Sequence, residues 1–471
     1  MSVPSSASDR GSDPEVLFQS QFFVLVFLPI VVAGYYVVAA SERARQLFLL
    51  AASLVFYGWW DVRFVPLLVG QVGVTWALAL LHERQGSRLW LDAGIAINLL
   101  SLGTFKYLDF LVATVEDITR MALPRAEIVL PIGISFFSFQ LLSYLIDRRR
   151  GEAPVYPLRQ FALFVMVFPH LIAGPIVRHN ELISQFSLDP LRAGLWQRIA
   201  CGLTIFAVGF AKKVLLADHL ADTVNRLFLD AGNRALSFGE AWSAALGFSF
   251  QLFLDFSAYT EMAIGIALLF GLVLPENFNR PYLATDLRQF WRRWHISLSI
   301  FLRDYLFIPL GGSRFGFPRY VLAILVTMGL CGLWHGAGWT FVVWGLLHGA
   351  GLVVCRLWQR SGLRLPAIAG WAVTMMFVIV GWVIFRASDF STASSVLQSM
   401  SGLRGFSGSV QETGLLLASA LVAALVPSAH QLKDSVLRPN LALAAAAAAL
   451  AVICVFDVGG GSPINFIYFQ F

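Results

Sequence analysis

Residues 321–351 read VLAILVTMGLCGLWHGAGWTFVVWGLLHGAG, with no aspartate, glutamate, lysine or arginine in the run. A helix needs roughly 20 apolar residues to cross the hydrocarbon core of a bilayer. VLAILVTMGLCGLW begins one such segment, and Gly336-Ala337-Gly338 offers a bend into a second. The rest of the 471 residues reads the same way: 58% are hydrophobic, 14% aromatic and 13% charged, against ~25% charged residues in an ordinary soluble domain. Apolar runs recur at 22–40 (FFVLVFLPIVVAGYYVVAA), 199–211, 240–270, 366–385, 413–428 and 440–456, with less regular ones at 46–81, 91–113, 129–146 and 161–177. The expected fold is all-α, a single polytopic membrane domain over 1–471 with about eleven to thirteen embedded helices. In FALFVMVFPHLIAGPIV (161–177), Pro169, Gly174 and Pro175 interrupt a would-be span. Broken backbone at that depth needs protein or a watery cavity around it, so a cavity lined by 161–180 is expected, with a kinked structural helix as the alternative.

The chain carries 34 Lys and Arg against 28 Asp and Glu, and only four of the basic residues are lysines. In a membrane protein such an excess marks cytoplasmic loops rather than nucleic-acid binding. Arginines follow spans at 43–45, 84–88, 148–150 and 356–364, and the segment 275–319 is the most basic; these faces are assigned to the cytoplasm, with 114–128 and 219–238 outside. The first 21 residues lack a basic start and run into a span too long for a signal core, so no cleavable leader is expected. Cys201, Cys331, Cys355 and Cys454 sit in apolar contexts without metal-ligand spacing and read as inert thiols.

Chemistry concentrates in two places. FWRRWHISLS (290–299) belongs to a pattern in which Arg288, Arg292, His295, Ser299 and Arg303 recur at spacings of 4, 3, 4 and 4. On one helix they form a polar stripe opposite Phe290, Trp294, Leu298 and Phe301, which predicts a helix at the membrane surface. Its arginines meet either lipid phosphates or the phosphates of a ligand. The second place is His335, between Gly332, Gly336 and Gly338. An ionisable group inside a span is a functional-site hypothesis by default, and a neutral imidazole there can act as general base; a histidine bonded to a neighbouring helix is the structural alternative. His170 and His348 share the apolar setting. No carboxylate-rich cluster accompanies these histidines, so no metal is expected.

These motifs resemble a known family. PENFNRPYLATDLRQFWRRWHISLSIFLRDYLFIPLGG (275–312) and GLCGLWHGAGWTFVVWGLLHG (329–349) look like the membrane-bound O-acyltransferases, in particular the bacterial branch that includes the alginate O-acetylation membrane protein. PIGISFFSFQLLSYLIDRRRG (131–151), FPHLIAGPIVRHNELISQF (168–186) and QLFLDFSAYTEMAIGIALLFG (251–271) support the likeness. The resemblance implies helices around a central tunnel and a donor thioester, acetyl-CoA or another, entering from the cytoplasm, with no bound cofactor. His335 matches the family's near-invariant histidine and His295 the second histidine of the bacterial branch. Substrate contacts are then expected from Arg292, Arg303, Trp294, Trp334, Asn279 and His170. The aromatic motif SPINFIYFQF (462–471) is similar to an end found in related envelope-acylation systems, which implies that Tyr468 carries the acyl group; an aromatic membrane belt is the alternative.

The resulting expectation is an O-acetyltransferase of the cell inner membrane serving an extracytoplasmic polysaccharide such as alginate. Its partners would be membrane lipids and a periplasmic acetyltransferase or esterase-like protein, and no nucleic acid. The rivals are acylation of a lipid or protein and, from another class, a transporter, against which the lack of an internal repeat counts.

Overall fold

A computed structural model describes residues 18–126, 128–436, 440–460 and 466–467. Among them every regular element is helical, and eight stretches are long and apolar enough to cross a membrane. They are Glu42–Gln85, Leu89–Thr119, Leu195–Asn233, Phe238–Leu269, Gly316–His335, Trp339–Ser361, Ala367–Arg386 and Leu441–Gly460. Glu42–Gln85 folds as two helices around a 3-10 turn at Val62–Phe64, capped by the Asp61 carboxylate, which accepts from the Arg63 amide at 2.9 Å. With the shorter apolar helices Phe23–Val37 and Thr413–Leu425, the embedded set reaches the lower end of the expected range.

Phe238–Leu269 is the central post, buried along nearly its whole length. A helix buried on every side is enclosed rather than amphipathic. Its start is fixed by a reciprocal cap: the Ser237 amide donates to Glu240 at 2.9 Å, and the Glu240 amide to the Ser237 hydroxyl at 3.3 Å. Leu195–Ala211 and Asp218–Asn233 pack along it. The peripheral helices instead turn Leu99, Leu100, Ile118, Leu441, Val452 and Phe456 outward. An apolar surface of that extent is stable against lipid tails and not against water.

The interrupted span is indeed broken, into Leu158–Met166, Phe168–Leu171 and His179–Leu182. Protein side chains meet its freed backbone groups: Ser53 Oγ accepts from the Phe168 amide and Ser297 Oγ from the Ile176 amide, both at 3.0 Å. The expected lining by 161–180 therefore shrinks to Arg178, His179 and Asn180, which border a cavity, while 161–177 is buried in protein.

The single striped helix over 288–303 is not formed. The chain makes Leu287–Arg293, leaves helical geometry at Trp294 and His295, resumes as Ile296–Leu302 and widens into a π turn at Arg303–Phe307. The break turns His295 inward, fully buried, and leaves Arg292 and Arg303 on the surface. Its cause is a set of hydrogen bonds from a distant segment, described next.

Candidate active site

His335 ends Gly316–His335, and Trp339–Ser361 folds back against that helix. The two backbones nearly touch. A Cβ on Gly332 would lie 2.1 Å from the Phe341 carbonyl, and one on Gly345 2.1 Å from the Met328 carbonyl. Gly345→Ala is therefore expected to force the hairpin apart at an overpacking cost of about 1–3 kcal/mol. A lowered melting temperature in detergent, with reduced turnover as His335 shifts, checks this.

A helix end leaves its last carbonyls without intrahelical donors. Leu89–Thr119 supplies them: the Tyr107 hydroxyl donates to the Leu333 carbonyl at 3.0 Å, and Lys106 Nζ donates to the Trp334 carbonyl. The His335 ring is held by Trp334, Trp344 and Phe385, with centroids 4.9, 5.2 and 5.4 Å away.

His295 arrives by another route. It has φ 44°, the left-handed region that L residues with a Cβ rarely adopt. Asn277 holds it there. The Ile296 amide donates to the Asn277 carbonyl at 2.9 Å, while Asn277 Oδ1 accepts from the Ser297 amide at 3.2 Å and the Ser297 hydroxyl at 2.9 Å and lies 3.0 Å from His295 Nδ1. These contacts fix the tautomer. A backbone amide only donates, so the side-chain atom facing Ser297 is oxygen; Nδ1 must then carry the proton, and in the neutral ring the lone pair lies on Nε2. Nε2 has no hydrogen-bond partner among the described residues. The two histidines meet around one indole: Trp334 lies 6.0 Å from His295 and 4.9 Å from His335. His348 stands behind, packed on Trp344 at 4.7 Å, with its Nδ1 accepting from Trp291 at 3.3 Å, so its proton lies on Nε2.

The other expected residues separate. Trp334 is central. Trp294 is a core residue between Phe278, Phe290 and Trp382. Asn279 gives its amide to the Arg293 carbonyl at 2.9 Å, and its neighbour Asn277 is the one that touches His295. His170 is buried beside Gln140, 3.1 Å from Nδ1 to Nε2, with no ring contact to either histidine. Arg292 is exposed, and Arg303 pairs with Asp304 at 2.6 Å. Tyr468 lies outside the described residues.

Lys106, Asn277 and His179 were not singled out from the sequence. Lys106 had a signal, a lysine inside an apolar run; the other two had none. His179 is buried on a cavity of about 590 Å3 whose charged lining is Arg150, Arg178 and Arg314 with Asp147, Glu152 and Asp304. Asp147 Oδ2 accepts from the Tyr305 hydroxyl at 2.7 Å and lies 3.3 Å from His179 Nε2, and the Tyr156 hydroxyl is 2.8 Å from His179 Nδ1. Burial pushes the Asp304 carboxyl up, but hydrogen bonds from Arg303 and Arg178 outweigh it and hold the group below its ordinary range, so it stays charged at neutral pH. The Arg150 and Arg178 guanidinium groups lie over the Tyr305 ring at 5.3 and 5.2 Å. From Tyr305 an aromatic column leads inward: Phe301 at 4.8 Å, Phe139 at 4.3 Å from Phe301, and Trp334 at 5.3 Å from Phe139. The arginines of the cavity and the two histidines are thus joined, through Tyr305, by one wall of contacting rings.

Comparison with known proteins identifies the family. Residues 45–390 match the membrane-bound O-acyltransferase family. The chain is 40% identical over 428 residues to the peptidoglycan O-acetyltransferase of Helicobacter pylori, covering 83% of this chain and 81% of that one. It is 41% identical over 397 residues to the probable alginate O-acetylase AlgI of Pseudomonas aeruginosa, covering 82% and 75%. A teichoic acid D-alanyltransferase of Streptococcus thermophilus is 30% identical over 49% of this chain and 58% of its own. A long family match and two such relatives select an enzyme over a transporter. This multi-pass membrane protein belongs to the membrane-bound O-acyltransferase family and is an O-acyltransferase.

Proposed function

We propose that the enzyme moves acetyl groups from acetyl-CoA at the arginine-rich face, taken as cytoplasmic, across the cell inner membrane toward an extracytoplasmic polysaccharide. The observation that carries this reading is the meeting of His295 and His335 around Trp334, at the inner end of a ring column that starts at Tyr305, under the arginines of the cavity. In the transfer, His335 takes the proton of the attacking hydroxyl as its oxygen bonds to the thioester carbonyl carbon. The C–S bond then breaks, and the thiolate leaves and recovers a proton as free CoA. His295, with its lone pair held on Nε2, accepts the hydrogen bond of that hydroxyl as it enters, before the proton passes to His335. Acetyl as the acyl group rests on the relatives named for O-acetylation, and their printed acceptors, peptidoglycan and alginate, support a cell-envelope glycan.

Tyr468 directly follows Ile467, which is buried with Phe466 near His295, and this supports it as the first hydroxyl to receive the acetyl group. The acetyl ester would then pass to the glycan through a periplasmic acetyltransferase or esterase-like partner, splitting one long transfer into two. Tyr468→Phe is expected to keep donor binding and lose glycan acetylation, and an acetylated 462–471 peptide should accumulate in wild type when acceptor is withheld. Mass spectrometry of that peptide is the check.

For the donor, Arg150 and Arg314 at the cavity replace Arg292 as the phosphate contacts this reading favours. A hydrogen bond to a charged group is worth about 1.5–3 kcal/mol. The Arg150→Gln/Arg314→Gln pair is therefore expected to raise the acetyl-CoA KM by about tenfold or more with a smaller change in kcat, and Arg292→Gln to leave both near wild type. Steady-state kinetics with radiolabelled acetyl-CoA in proteoliposomes decides the matter. Failure of the purified enzyme to take acetyl from acetyl-CoA under any condition would sink the donor assignment.

A further inference from the structure

Five ionisable side chains lie between the central post and the helix beside it, and acyl transfer as described uses none of them. Lys212 pairs with Glu261 at 2.7 Å, and Lys213 pairs with Asp218 at 2.7 Å and Asp255 at 3.0 Å. The π turn over Lys212–Ala217 widens the helix where these two adjacent lysines meet carboxylates six residues apart on the facing helix. Burying charges at this depth is costly even when they are paired. A cluster that only joined two helices would make no hydrogen bond outside itself.

Asp255 departs from that. Its Oδ1 faces Lys213, but its Oδ2 accepts the backbone amide of Ile467 at 2.8 Å, in the buried interior. An amide in such surroundings must find an acceptor, and this bond and the Phe466 ring both help to seat the segment. Phe466 packs on Tyr259 at 4.7 Å and on Phe256 at 5.8 Å. Phe256, next to Asp255 on the post, lies edge-on to the His295 ring at 4.8 Å. The carboxylate therefore fixes the 466–467 backbone one aromatic ring away from His295.

We propose that Asp255 is a positioning residue, whose Oδ2 clamps the backbone of the 466–467 segment against the Phe256 side of the histidine site while Lys213 pairs with its other oxygen. The inference rests on the reading of His335 and His295 as the transfer site. The lysine matters because Asp255 without it would be an uncompensated charge, and the clamp reads backbone rather than side chain, so it depends on an amide hydrogen at position 467.

That dependence supplies the test. Ile467→Pro deletes the amide hydrogen and leaves every charge in place, whereas Ile467→Ala keeps it. In the full-length enzyme in proteoliposomes, Ile467→Pro and Asp255→Leu are each expected to lower kcat for glycan acetylation on the order of 10- to 100-fold, the worth of one charge-assisted hydrogen bond, at unchanged acetyl-CoA KM. Ile467→Ala should stay within about twofold of wild type, and the double variant should be no worse than the weaker single one, because both remove the same contact. In an Ile467→Cys background, maleimide labelling should be slow with Asp255 and fast with Asp255→Leu. Wild-type turnover by Ile467→Pro, or a cysteine at 467 that stays protected when Asp255→Leu is also present, would overturn the clamp. His335→Ala measured alongside separates the two readings: if it is inactive while Ile467→Pro is normal, only the clamp fails; if it acetylates normally, the transfer site fails and the clamp with it.

Discussion

His335→Ala is expected to reduce acyl transfer by about 10²–10⁴-fold, the usual loss when a positioned general base is removed, while the protein still folds and inserts. The fold should survive because His335 is the last residue of its helix, and the helix end is held by Tyr107 and Lys106 through backbone carbonyls that alanine retains. Trp344 and Phe385 lose one ring contact each and keep their packing on one another at 5.1 Å. The measurement is acetate transfer to glycan at matched membrane abundance, with detergent melting as the control. Normal acetylation by a properly folded variant would remove His335 from the mechanism.

A second large effect is expected at His295, where fold and chemistry can be separated by the choice of substitution. The residue sits at φ 44°, a conformation glycine adopts without a Cβ penalty and alanine does not. His295→Gly should therefore melt higher than His295→Ala by the equivalent of about 1 kcal/mol, although both leave the same ring-sized gap beside Phe256 and Trp334. Both should lose about 10²-fold or more in kcat, because both lack the Nε2 lone pair. If activity instead follows melting temperature across the two variants, His295 is a packing residue. The comparison also tests the role of Asn277, which shapes that backbone through hydrogen bonds to residues 295–297.

Much of this protein could be read along the chain. The bilayer demands long apolar segments, so the runs at 240–270, 321–355 and 366–385 announced their helices without help from any distant residue. The interruption at Pro169 was equally local, since proline and glycine act on their own backbone. His335 was legible for a related reason: in a run without charge, one imidazole stands out.

Other features depended on segments far apart in sequence. Periodicity placed His295 on a polar stripe with Arg292 and Arg303, because a repeat of 3 and 4 assumes that the helix continues. It does not, since Asn277, eighteen residues earlier, captures the amides of 296 and 297 and turns His295 inward. Nothing local distinguished Asn277 from Asn279, or marked His179 as the buried partner of Asp147 and Tyr156. The ring column from Tyr305 to Trp334 joins residues 139, 301 and 334, and the amide bond to Asp255 joins residues 212 positions apart. Local sequence carries what the membrane enforces residue by residue: apolar length, helix breaks and the rarity of an ionisable group at depth. Which polar groups meet is a matter of packing, because in an interior without water each must find its partner on whichever helix lies near.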